Sequence, residues 1–329
     1  MLDVVRLDFD PTIALVGLTV RLDTLALAGV ILLMLSLAAL GAGRMVGRLE
    51  GGTEGLAPDA GRLRRDDLIL IAFGAVPGAI VGGRLGYGLV HVDFYRPDPS
   101  LLTDPAQGGL ALTLAVVLGT LCAVAVALLL AAPISRWLHV ASGPLLVGLG
   151  LGKLSMILGG TGQGQFSDAS WATQYVRPGS WGSAGAAYSA LPSQALEGGL
   201  VLLAALLMLL VPLVLRLRVR RWRRIVRPGL APRREWLILS GFRRFLTALC
   251  LWSAARFAAA FTWRDAQVAG PLRVEQVVLL VVFVGCAVIL GLSGLWHLRV
   301  TRAAARAAAK RRADADLPEP RTAFRTVQR

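Results

Sequence analysis

Charge is scarce in this sequence, and the scarcity excludes most soluble folds. Charged residues make up 17% of the 329 positions, against about 25% in a soluble globular chain. Histidine occurs three times at distant positions, so no clustered metal site is on offer. The three cysteines (Cys122, Cys250 and Cys286) all fall in apolar runs and form neither a CxxC pair nor a disulfide framework. Lysine is nearly absent, since 33 of the 35 basic residues are arginine. The first 20 residues lack a basic start, a short apolar run and a small-residue cleavage site, so no secretory leader is expected. No internal repeat of the kind that builds a two-half transporter is visible.

What the chain has instead is apolar length. Hydrophobic residues make up 55% of it, and the mean hydropathy is +0.63. A transmembrane helix needs ~20 mostly apolar residues, and seven segments qualify: 24–43, 68–92, 107–131, 137–158, 196–215, 242–262 and 274–297. The expected fold is an all-α integral membrane protein. The net charge of +15 suggests a nucleic-acid partner only until the basic residues are placed. They flank the apolar runs, so membrane lipids are the expected partner and nucleic acid is not.

Those basic residues also set an orientation. With the N-terminus outside, the inside segments hold 26 of them and the outside segments 6. The positive-inside rule therefore predicts N-out, C-in. Residues 1–298 form the seven-helix domain, and 299–329 a basic cytoplasmic tail attracted to anionic lipid. The outer loop 159–195 is rich in Gly and Ser and carries Trp171, Tyr175, Trp181 and Tyr188. Its length and aromatics predict a small extracytoplasmic cap.

Three basic residues remain within the helices: Arg84, Lys153 and Arg256. A charge at the bilayer centre costs a few kcal/mol, so each needs a reason. At 1.5 Å per residue, Arg84 and Lys153 lie ~24 Å and Arg256 ~21 Å along helices that run the same way. Their shared depth predicts convergence on one anionic group, which in the outer leaflet means a lipid phosphate; separate snorkelling is the bland alternative. Glu197 opens the fifth helix, where it either orients one of these cations or simply favours the helix dipole. The glycines around Arg84 and Lys153 are explained mostly by close helix packing.

These residues resemble the prolipoprotein diacylglyceryl transferase family. The resemblance runs from Phe9-Asp10-Pro11 to Gln276. It rests on GGRLGY at 82–87, Gly108-Gly109-Leu110, Gly152-Lys153-Leu154, Pro192-Ser193-Gln194 followed by Glu197, then Arg256 and Gln276. Several positions depart from the family pattern. Lys153, Ser155, Met156, Gly159 and Thr161 are substituted within its G-R-x-G-N-F-x-N-x-E-x-x-G signature. Gln107 and Leu191 stand where the family has histidine, and Leu22-Asp23 stands where it has Trp-Tyr. A glutamine cannot serve as a general base.

The resemblance implies transfer of a diacylglyceryl group from phosphatidylglycerol to the lipobox cysteine of a prolipoprotein, in the inner membrane of a bacterium. It implies no metal or organic cofactor. Under it, Lys153 and Arg256 hold the phosphate, Arg84 touches the headgroup and Glu197 orients the cations. Gln107 then hydrogen-bonds the headgroup, and Gly108 and Gly109 let it approach the backbone. Two other classes stay open: a non-catalytic relative that binds anionic lipid or lipoprotein precursors, and a transporter of lipid or solute.

Overall fold

A computed structural model describes residues 4–15, 17–49, 64–104, 109–176, 188–226 and 241–315. Seven of its helices are long and apolar enough to cross a membrane. They are α1 (Leu22–Leu49), α2 (Arg65–Val90), α4 (Leu112–Leu129), α5 (Ile134–Ser155), α6 (Ser193–Val226), α7 (Gly241–Ala259) and α8 (Val274–Ala315), with a single turn, α3 (Val92–Tyr95), after α2. The chain is a multi-pass all-α membrane protein. The spans fall within a few residues of the expected segments, except the third, which begins at Leu112 rather than 107. Gly109 ahead of it has φ +75°, and a Cβ there would lie 2.5 Å from the Tyr87 ring. Only glycine fits that left-handed close approach, so the helix starts after it.

Between lipid-embedded helices apolar burial gives little drive, and contact depends on small residues and polar links. A Cβ on Gly78 or Gly82 of α2 would come within 2.4 or 2.2 Å of the Leu118 or Leu114 carbonyl oxygen of α4. Gly150 of α5 and Gly198 of α6 meet almost backbone to backbone: a Cβ on Gly198 would lie 2.9 Å from the Gly150 carbonyl oxygen. α1 runs antiparallel to α5, with Gly41 against Val140 and Gly148 against Met34. α7 and α8 are joined at one end by Arg243, whose Nε donates to Ser293 Oγ at 3.2 Å.

A buried core of Leu146, Val201, Phe245, Leu249, Trp252 and Leu279 ties α5 to α8. Large apolar side chains such as Leu32, Phe73, Leu209 and Val281 point outward, as a lipid-facing surface requires. An apolar crevice of about 320 Å³ lies between α1, α2, α4, α5 and α7, lined by Met34, Ala38, Ile71, Ala123, Trp137 and Phe245 among others.

Short strands, announced by no sequence pattern, close one end of the bundle. β1 (Val5–Leu7) pairs in parallel with β4 (Thr173–Tyr175) from the α5–α6 connection. β2 (Thr12–Leu15) and β3 (Leu18–Arg21) form a hairpin that leads directly into α1. β5 (Gln267–Ala269) and β6 (Leu272–Arg273) form a second hairpin between α7 and α8. Tyr175 donates its hydroxyl to the Ile157 carbonyl at 2.7 Å. Burial pushes that phenol up to about 12, so it remains a donor. The basic continuation of α8 is helical as far as Ala315. Trp181, the 227–240 connection and the end of the tail lie outside the described residues.

Candidate functional site

Beneath this cap, four consecutive spanning helices each contribute one charge to a single cluster. Lys153 lies in the last turn of α5, Glu197 in the first turns of α6, Arg256 in the last turn of α7 and Glu275 in the first turn of α8. Lys153 Nζ is 3.2 Å from Glu197 Oε2. Arg256 donates from Nη1 to the other oxygen of Glu197, and from Nη2 (2.5 Å) and Nε (3.2 Å) to Glu275 Oε1. Thr113, in the first turn of α4, donates to the same Glu275 oxygen at 2.7 Å. The indole of Trp263 covers both cations, 4.5 Å from the Arg256 guanidinium and 5.9 Å from Lys153 Nζ.

Each position follows from local packing. The close contact of Gly150 with Gly198 draws α5 against α6 and brings Lys153 to Glu197. α5 then ends in a 3-10 turn, Met156–Gly159, closed by Gly160 in the left-handed region (φ +70°). Ser193 at the start of α6 shares a 2.6 Å hydrogen bond with Thr262 after α7, which fixes those two helix ends together. Gln276 is fully buried: its Oε1 accepts from the Arg273 amide at 2.9 Å, and its Nε2 donates to the Phe257 carbonyl at 3.3 Å. Arg273 in turn holds the Trp263 and Asp265 carbonyls at 2.6 and 3.0 Å, which sets the indole over the cluster.

The four charges cancel. Burying unpaired ions in a low-dielectric medium is prohibitive, whereas a paired and hydrogen-bonded set is tolerated. Arg256 is committed to this network, with 4% of its side chain exposed, while Lys153 keeps 18% exposed and has donors to spare. A lysine carries three N–H donors, and Glu197 is the carboxylate paired with this one.

The three cations expected to converge on one lipid phosphate fall into two groups in the structure. Lys153 and Arg256 share Glu197. Arg84 is not part of this cluster. It donates from Nη1 to the Gly109 carbonyl at 3.3 Å and from Nη2 to the Asp104 carbonyl, fastening the α2–α4 connection. Lipid-embedded arginine seeks whatever acceptors are near, and here these include loop carbonyls. Gln107 and Gly108 lie outside the described residues.

Glu275 escaped the sequence reading. Its signal was available: Asp23, Glu197 and Glu275 each open a spanning helix at the end where the three cations close theirs. Gly159 and Asp23 meet at the head of α1. A Cβ at Gly159 would lie 2.3 Å from Asp23 Oδ2, and Asp23 is itself paired with Arg21 at 2.5 Å. Asp23 fills the space that a side chain at 159 would need. Ser155 turns back to the Gly152 carbonyl at 2.7 Å, and Gly162 packs on Met156.

A comparison with curated proteins finds no match. The model of one family, described as prolipoprotein diacylglyceryl transferase, matches residues 33–292. That span covers most of the chain and contains every member of the charged cluster. The chain belongs to the prolipoprotein diacylglyceryl transferase family, a family of transferases of lipoprotein maturation.

Proposed function

We propose that this protein transfers a diacylglyceryl group from phosphatidylglycerol to the lipobox cysteine thiol of a secreted precursor, with the capped end facing outward from a bacterial inner membrane. The observation that carries this reading is the buried Lys153–Glu197–Arg256–Glu275 cluster, in which Lys153 alone of the two cations retains accessible donors. Lys153 holds the lipid phosphate. Glu197 aims Lys153, and Arg256, locked between two carboxylates, fixes Glu197. Arg84 acts on the same headgroup region through the α2–α4 connection that it fastens, and Gln107, Gly108 and Gly109 belong to that connection.

Chemically, the sulfur attacks the glyceryl carbon that carries the phosphate ester. A C–S bond forms, the C–O bond breaks, and the electron pair leaves with glycerol phosphate. A cation at the phosphate stabilises charge that grows on the leaving oxygen. The basic side chains of the α6–α7 connection and the tail then face the cytoplasm.

The test uses the full-length protein in nanodiscs of phosphatidylglycerol with a lipobox peptide. The expected result is a peptide heavier by one diacylglyceryl group, release of glycerol phosphate, and complementation of a strain depleted of its own transferase. Lys153→Ala is expected to lose at least tenfold in rate and Lys153→Arg to retain activity, because arginine also donates to phosphate. Absence of product and of complementation overturns the reading. Binding of the lipid without transfer favours a non-catalytic relative, the reading that the substitutions at Gln107 and Leu191 support.

A further inference from the structure

The apolar crevice between the α2–α4 pair and α1, α5 and α7 takes no part in the charged cluster, yet it begins beside it. Leu112 lines its cap end, and the next residue, Thr113, donates to Glu275. From there the lining follows one face of α4 through Val116, Thr120 and Ala123 to Ala127. At 1.5 Å per residue, 112 to 127 is a rise of ~22 Å. That is deeper than half of a ~30 Å hydrocarbon core.

The space follows from side-chain size. Ala38 of α1, Ala75 of α2, Ala123 of α4 and Ala141 of α5 line it, where larger residues would close it. The lining is apolar but for the Thr120 hydroxyl and the Trp137 indole. Protein interiors are close-packed, and an empty space of about 320 Å³ forfeits dispersion contacts all around it. At this depth water is absent, and the material at hand to fill it is lipid chain.

The two ends differ. Away from the cap, Trp137 is 4% exposed and packs with Ala38, Ala42, Ala127 and Ala132, which gives the crevice a floor. Toward the cap, Leu145 is the last residue of α5 in the lining, and Lys153 lies ~12 Å further along the same helix. That interval leaves room for a glyceryl backbone between a phosphate at Lys153 and the head of its chain.

Resting on the transferase reading above, we propose that the crevice is a slot for one acyl chain of the donor phospholipid, and that Trp137 at its floor sets the longest chain accepted. A chain that fits gains contacts along the whole slot. A longer one meets the indole and holds its glyceryl carbon above the reacting position.

The test supplies the full-length protein with a lipobox peptide and an equimolar mixture of dimyristoleoyl, dioleoyl and dierucoyl phosphatidylglycerol. Detergent micelles remove bilayer thickness as a variable. The mass of the modified peptide reads the chain length transferred, and native mass spectrometry reads the lipid retained by the protein. Wild type is expected to use dioleoyl over dierucoyl by at least about tenfold, since a single methylene in an apolar pocket is worth about 10- to 200-fold. Trp137→Leu lowers the floor and is expected to bring those two donors close to parity. Ala123→Leu fills the middle of the slot and is expected to shift use toward dimyristoleoyl by about tenfold. Ala125→Leu, on the exposed side of α4, leaves the ratios as in wild type. If Trp137→Leu does not fold, the contrast of Ala123→Leu with Ala125→Leu decides alone. Wild-type product in proportion to the donor mixture, or equal shifts in the two alanine variants, overturns the slot and leaves the transferase reading standing. A wild type that forms no product but retains lipid with this preference overturns the transferase reading alone. No product and no preference overturns both.

Discussion

The α2–α4 pair and the α5–α8 group lie side by side in one bundle; both contain close glycine contacts, and the group adds a network of charges at its helix ends. In the pair, Gly78 and Gly82 bring two backbones into contact, and Arg84 spends its guanidinium on the carbonyls of the connecting segment. In the group, two acids and two cations meet at the helix ends. Arg84 and Arg256 are the same residue type at a similar depth. Arg256 bonds to carboxylates on two neighbouring helices and becomes the centre of an ion network. Arg84 bonds to the carbonyls of a connecting segment and clamps it.

Three substitutions break or sharpen that contrast. Glu275→Ala should have the largest effect, because it leaves Arg256 short of one carboxylate and Thr113 without its acceptor. Breaking a buried ion pair typically costs about 3–5 kcal/mol. Thermal unfolding of the purified protein in detergent measures it, and a loss below about 1 kcal/mol would make Glu275 peripheral. Arg84→Ala should cost about 1.5–3 kcal/mol, the range for hydrogen bonds to a charged donor. Faster hydrogen exchange should appear at the Ala111 amide, which donates to the Gly83 carbonyl at 2.9 Å. Unchanged exchange there would deny Arg84 its role as a clamp. The smallest loss, about 1 kcal/mol or slightly more from overpacking, is expected for Gly82→Ala, whose Cβ would meet the Leu114 carbonyl. Gly285→Ala on α8, where nothing lies within 4 Å, serves as its control and should be neutral or stabilising. Equal melting of the two variants would show that close approach is not what joins α2 to α4.

Hydropathy made the seven spans legible, because a helix that must satisfy its own backbone in lipid has to be long and apolar. The misplaced start of the third span shows the limit. The run 107–111 is apolar enough to continue the pattern, but the backbone turns at Gly109 to admit the Tyr87 ring. β1, β4 and the two hairpins were invisible, since strands of two to four residues carry no readable alternation. At the site, the depth of Lys153 and Arg256 was readable from position. Glu197 is legible at the head of α6, whereas the pairing of Glu275 with Arg256 runs between two helices. Trp263 and Thr113 owe their roles to contacts across the bundle, which no local pattern announces.

Along the chain, the charges of the cluster alternate in sign: Lys153 on α5, Glu197 on α6, Arg256 on α7 and Glu275 on α8. That order has a consequence for biosynthesis. A lone ionised residue entering the bilayer costs several kcal/mol, and each helix here brings a charge that the next one answers. Once α6 has followed α5, their pair is neutral. α7 then adds one cation that only α8 can balance. A nascent chain halted before its last span therefore leaves the cluster with one buried positive charge in excess, and the insertion of α8 completes the neutrality of the cluster together with the topology.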